Sequence, residues 1–265
     1  AGGAAAWRAL LQKNRADIRA DVAVEVSHGD LQIDLLADDA LLDLTSGFVR
    51  TLEDGRFITF TADDLDLRSG AAKVVGTGLL TLRTQKAVSS YYLGTAAETS
   101  VGTDWAEDSQ RQVEAPGFYF SARDLAALAD GFAEIHVGRR DVGNRMDLGD
   151  IERKDDRPAE ARIAQFRDTT FLYTDRLLVQ GDVQAPDDTL TVETRMMQVN
   201  PLNIHDAGQG ADSGLYAETL RVRIDEQATI GGWLRGDALI DLDVTGTPGD
   251  AGPDDAVGGA YEDLA

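Results

Sequence analysis

The chain has no cysteine at all. That absence excludes disulfides, thiolate zinc sites, iron–sulfur clusters and cysteine nucleophiles. Basic residues are scarce beside acids, 25 against 47, for a formal net charge of −22. A field of that sign repels phosphate backbones and anionic lipid heads, so neither nucleic acid nor an acidic membrane is expected as a partner. No run reaches the roughly 18 apolar residues of a spanning helix, and membrane insertion is not expected. Aromatics are few, at 6%. The opening AGGAAAWRALLQKNRADIRA lacks the long apolar core of a signal peptide and does not start with Met. We read it as a mature or excised piece of something longer.

What is present points to a folded, strand-rich chain. Hydrophobic residues make up 43% of 265 residues, enough to bury a substantial core. From residue 21 the apolar positions recur with period two: DVAVEV, LQIDL, ALLDL, FITFTADDLDL, GLLTLRT, SSYYLG, GFYFSA, AEIHVG, RMDLG, FLYTDRLLVQGDV, DTLTVETRMMQV, LYAETLRVRID and DALIDLDVTG. Gly, Asp, Asn and Ser occupy the gaps, as turns require.

Helix is expected in two places. The Ala- and Leu-rich stretch 4–20 predicts a helical cap, so residues 1–20 form an N-terminal cap segment. SARDLAALADGF, 121–132, predicts a short helix capped by Ser121, carrying Leu125 and Leu128 and ended by Gly131. The charged stretches near 105–116 and 152–162 read as loops extruded from a body spanning 21–245. The Gly-, Asp- and Pro-rich tail 246–265 reads as flexible or extended.

One strand phrase returns. FTADDLDL, LYTDRLLV and LYAETLRV align Phe60, Leu172 and Leu215, then Asp63, Asp175 and Glu218, then Leu65, Leu177 and Leu220. Weaker copies centre on Glu193 and Asp38. The acids Asp175, Glu193 and Glu218 are 18 and 25 residues apart. A period near 20 with short strands suggests an all-β, right-handed parallel β-helix (a β-solenoid). Each turn of chain is too small to bury its own inward residues, and stacking buries them in a shared column. The alternative is a β-sandwich, which strands at 8 to 12 residue spacing also fit.

SARDLAALADGFAEIHVGR (121–139), preceded by YYLGTAAE, and ITFTADDLDLRSGAAKVVGTGLLTLRT (58–84) resemble phrases of giant bacterial surface proteins of the filamentous-haemagglutinin-like adhesin type. The likeness covers chiefly 55–140. It implies a right-handed parallel β-helix, secretion, a long rod, and adhesion or matrix building. It supplies no catalytic residues. The charged insertions depart from the family's Gly-, Ser- and Thr-rich composition, so a plain, regular rod is not expected there.

Candidate chemistry is sparse. His28, His136 and His205 lie far apart without ligand spacing, and no nucleophile elbow, zinc helix, Walker loop or dinucleotide fingerprint occurs. Asp64 and Asp66, about 7 Å apart along one strand face, are candidate calcium ligands. Arg235-Gly236-Asp237 forms an RGD tripeptide, expected on a tight turn. We expect no catalytic and no cofactor-binding residues. The expected function is a structural or adhesive segment at the cell surface, partnered by copies of itself, neighbouring segments of the same protein, or a surface glycan or protein. Two alternatives remain: a carbohydrate-active β-helix enzyme, lyase or hydrolase, using outward acids with Arg68 or Arg223, and a phage or virus fibre subunit.

Overall fold

In the computed structural model the described residues are 7–11, 18–19, 23–35, 41–44, 47–67, 73–85, 90–94, 117–120, 122–140, 143–149, 163–199 and 213–245. They form nineteen strands and one short helix. β1 (Trp7–Leu11) and β2 (Ile18–Arg19) come first. β3 (Ala23–Val26), β4 (Leu31–Leu35) and β5 (Leu41–Asp43) follow, then β6 (Phe48–Thr51), β7 (Ile58–Thr61) and β8 (Asp64–Asp66). Next are β9 (Val74–Val75), β10 (Leu79–Arg83), β11 (Ser90–Leu93), β12 (Gly117–Phe120) and the helix α1 (Ala122–Ala127). β13 (Glu134–Gly138), β14 (Arg145–Leu148) and β15 (Ile163–Gln165) precede four long strands. These are β16 (Thr170–Val179), β17 (Asp182–Val199), β18 (Gly214–Ile230) and β19 (Trp233–Val244).

The strands pair in parallel throughout. They make one 13-stranded sheet and two three-stranded sheets, β2-β5-β8 and β3-β6-β9. In its first part the chain visits three strand stacks in a fixed order: β3, β4, β5, then β6, β7, β8 directly above them. Parallel neighbours require a crossover connection and exclude hairpins. The β-sandwich alternative is therefore set aside, because its antiparallel sheets would bring hairpin-linked neighbours together. The structure is all-β with parallel sheets, and no sheet closes on itself among the described residues.

Two apolar columns run through the main sheet. One passes Leu31, Ile58, Leu80, Ile135, Thr170, Leu190, Leu220 and Ile240. The other passes Ile33, Phe60, Leu82, Val137, Leu172, Val192, Val222 and Leu242. Before the last strand, nearly every member is buried. Burying one such side chain stabilises by about 1.5–3 kcal/mol, and stacking like over like lets every layer do so. A third column, Phe118, Tyr91, Met146, Leu177 and Met197, fills the far end of the sheet. There the Tyr91 hydroxyl accepts a hydrogen bond from the Thr84 N–H at 2.9 Å, so its polar end is satisfied inside the core.

The register corrects the repeat read from sequence. Leu65, Leu177 and Leu220 are all interior, at 1%, 2% and 0% exposure, but they do not share a column. Leu65 stacks on Leu42, Leu177 on Met197, and Leu220 on Leu190. Phe60 and Leu172 do share one, whereas Leu215 stacks on Val183 elsewhere. A two-residue period matches itself at many offsets, so the phrase alone could not select among them. The helical cap is also corrected over its described residues: Trp7–Leu11 and Ile18–Arg19 are strands. Helix propensity is a weak prior. WRALL sets Trp7, Ala9 and Leu11 against Leu31, Ile33 and Leu35, and sheet pairing outweighs the propensity.

The second expected helix forms, with Gly131 at φ +118° beyond its end. It stands where a strand would: Leu128 bridges Val74, and the Lys73 N–H donates to the Ala127 carbonyl at 2.7 Å. Leu125 and Leu128 are buried, and Asp124 accepts the Leu67 N–H at 2.7 Å. Ser121, the loops 105–116 and 152–162, and the tail 246–265 lie outside the described residues.

Candidate functional site

Among the described residues, a cluster of polar and aromatic side chains lies on the outer face of β13, β16, β17 and β18. Alternation in β13 buries Ile135 and Val137 and turns Glu134 and His136 outward. In register, His136 stands beside Phe171 and Gly138 beside Tyr173. The His136 ring lies 4.7 Å from that of Phe171 and 5.5 Å from that of Tyr173, and Phe171 stacks on Tyr173 at 6.1 Å. Gly138 makes this approach possible. Its φ is +94°, and a Cβ there would lie 2.1 Å from the Tyr173 carbonyl oxygen.

Charges frame the rings. The Arg140 guanidinium sits 4.2 Å over the Tyr173 ring, and its Nη2 is 3.1 Å from Glu193. Arg223 approaches the same Glu193 at 3.9 Å. His136 Nε2 and Glu134 Oε2 are 2.8 Å apart. Burial pushes the Tyr173 phenol above its usual value, with Arg140 opposing. The strip is a set of packed rings edged by ion pairs, with Tyr173 buried beneath Arg140 and Phe171 and His136 half-buried beside it.

Elsewhere the acids hold structure. Asp175 is gripped by two Arg195 hydrogen bonds, at 2.7 and 3.0 Å, and its carboxyl is held below the usual carboxylate value chiefly by that guanidinium. Glu226 closes the network on the other side of Arg195. Asp147 accepts two bonds from Arg145, yet burial outweighs the pair and pushes its carboxyl up. Asp168 is likewise raised, mainly by burial, while it accepts the Gly131 N–H at 2.8 Å. It borders a pocket walled by Leu125, Leu128, Ile135 and Phe166, and its bond to Gly131 fixes the loop after α1.

Of the described residues singled out from sequence, His136 and Arg223 border the ring strip and His28 does not. Asp64 and Asp66 flank buried Leu65 on β8, with Asp43 in register beside Asp66. Their side chains lie outside the described part, as does Arg68. His28 stands near Glu53, at 3.7 Å, far in sequence from His136, and His205 falls outside the described residues. Among the described residues no three His, Asp or Glu side chains are grouped to hold a metal ion. The RGD tripeptide lies within β19 and not on a tight turn. Arg235 pairs with Asp237 at 3.2 Å, and the Tyr216 hydroxyl donates to Asp237 at 2.6 Å, so both charged ends are engaged within the sheet.

The ring strip was not anticipated. Its signal was present in AEIHVG and TFLYT, where the outward half of each alternation carries rings instead of short polar groups. No protein-family model, curated protein or solved structure matches the chain. Among the described residues no helix is long and apolar enough to cross a membrane, which says nothing about a β-barrel.

Proposed function

We propose that the chain is a non-enzymatic structural or adhesive segment of a large exported surface or fibre protein, built as a right-handed parallel β-solenoid. One observation carries this reading: two side-chain columns pass through eight strands and end at β19, beyond which no described strand pairs. Leu239, Ile240 and Val244 on β19 are 46%, 46% and 48% exposed. A stack of this kind has no intrinsic length and grows by adding strands. Its ends are attachment points, and its sides are a long surface for display.

The acidic surface opposes close approach between copies, so cations govern assembly. The sequence-derived calcium candidates, Asp64 and Asp66, belong to this reading. The test is light scattering during calcium and sodium titrations. Scattering is expected to rise with both, and at lower concentration with calcium. A flat trace across both salts would remove self-association from the proposal.

A second reading, contact with a surface glycan, draws on the half-buried rings of His136 and Phe171, since ring faces stack on sugar planes. Binding to a glycan array that survives Phe171→Ala would dismiss it, and turnover of any bound polysaccharide would favour the enzyme alternative.

A further inference from the structure

We infer that copies of this chain join head to tail, the free edge of β19 in one copy pairing in parallel with the free edge of β1 in the next. This rests on the self-associating reading above and deepens it by naming the two edges and their register. No described strand pairs with β1 beyond β4, or with β19 beyond β18.

The register is fixed by columns already present. Trp7 heads the column that ends at Ile240, and Ala9 heads the one that ends at Leu242. Continuing both columns across the junction sets Trp7 against Ile240, Arg8 against Asp241, Ala9 against Leu242, Leu10 against Asp243 and Leu11 against Val244. Three of the five pairs set apolar against apolar, the basic position of β1 meets an acid, and Leu10 meets Asp243. The same complementarity operates one layer below, where Arg221 and Arg223 of β18 stand against Asp241 and Asp243 of β19. β1 is five residues long and matches the last five of the twelve in β19.

Competing occupants fit worse. Two β19 edges brought together would oppose acids to acids, and like charges across a strand pair destabilise it. The tail 246–265 contains no Lys or Arg and five Asp or Glu, so it cannot neutralise Asp241 and Asp243.

The lack of native cysteine makes trapping clean. Adjacent parallel strands lie about 4.8 Å apart, within reach of a disulfide. Leu10→Cys and Asp243→Cys are made singly, checked by circular dichroism, and mixed under mild oxidation at the salt that maximises scattering. A mixed disulfide dimer, at least about tenfold above either variant alone, is expected. Arg8→Asp and Asp241→Arg should each weaken association by about tenfold, and the double reversal in one chain should restore it. A dimer of Asp243→Cys with itself would overturn the inference in favour of edge-to-edge pairing of like strands. Scattering that rises without trapping would overturn it while leaving the structural reading in place. No rise at any salt would overturn both. Slow hydrogen exchange of β19 in dilute monomer, lost on deleting 246–265, would assign the edge to the tail and overturn it too.

Discussion

The strands before β13 are short, two to five residues, and are separated by turns, whereas β16 to β19 run ten to eighteen residues without a break. Both regions lie on the same columns, so the difference is at the corners. In the first region the chain leaves one sheet and enters another through loops such as Leu52–Phe57. In the second, β16 pairs with β13 through Thr170–Tyr173 and with β14 through Arg176–Val179, spanning as one strand what its neighbours build as two. The bend is held by side chains. Asn144 accepts at its carbonyl from the Thr174 hydroxyl and the Arg176 N–H, and Asn144 Oδ1 accepts the Asp175 N–H at 2.9 Å. In the next layer Thr194 donates to the Met196 carbonyl at 2.8 Å. Polar groups freed by bending a strand must find partners, and a buried hydroxyl supplies them where a loop would have used water.

The comparison breaks most visibly in the shared column. Phe60→Ala removes a fully buried ring and should destabilise by about 3–5 kcal/mol. Leu242→Ala, in the same column but half-buried on the last strand, should cost below about 1 kcal/mol. Urea unfolding of both variants checks this, and equal losses would show that β19 is as enclosed as β7. Thr194→Val tests the corner. It strands the Met196 and Asp175 carbonyls and should cost about 1–3 kcal/mol, with hydrogen exchange rising first around Asp175 and Arg195.

The smallest effect is electrostatic. Asp175→Asn should cost about 0.2–1 kcal/mol near neutral pH, discounted for partial exposure. Because the folded carboxyl sits below its unfolded value of about 3.8, the stabilisation is complete above that value and disappears as pH falls through the lowered folded value. Thermal melts of the two proteins should therefore differ at pH 7 and converge in strong acid. A gap that widened in acid would contradict the Arg195 pairing.

Much of this organisation was legible in the chain. Alternation located the strands later seen as β3, β4, β5, β7, β8, β10 to β14 and β16 to β19, and the Leu125/Leu128 spacing located α1. β6, β9 and β15 were missed, since FVRT and IAQ do not alternate apolar with polar residues and VV is two residues long. The N-terminal helix failed because Ala and Leu suit either structure until a partner strand is known. Column membership was illegible for a related reason: pairing joins residues whose separation varies, 25 for Arg50 and Glu25, 22 for Arg83 and Thr61, and 20 for Arg195 and Asp175. Only the pairing itself fixes those offsets. The ring strip needed the offsets too, because Phe171 and His136 meet through register and share no sequence motif.

Hydrogen bonds between parallel neighbours point along the direction in which strands accumulate, not along the strands. Tension applied in that direction therefore strains one ladder at a time and peels the molecule like a zip fastener. Every peeled layer would release its own length of chain before the next ladder is loaded.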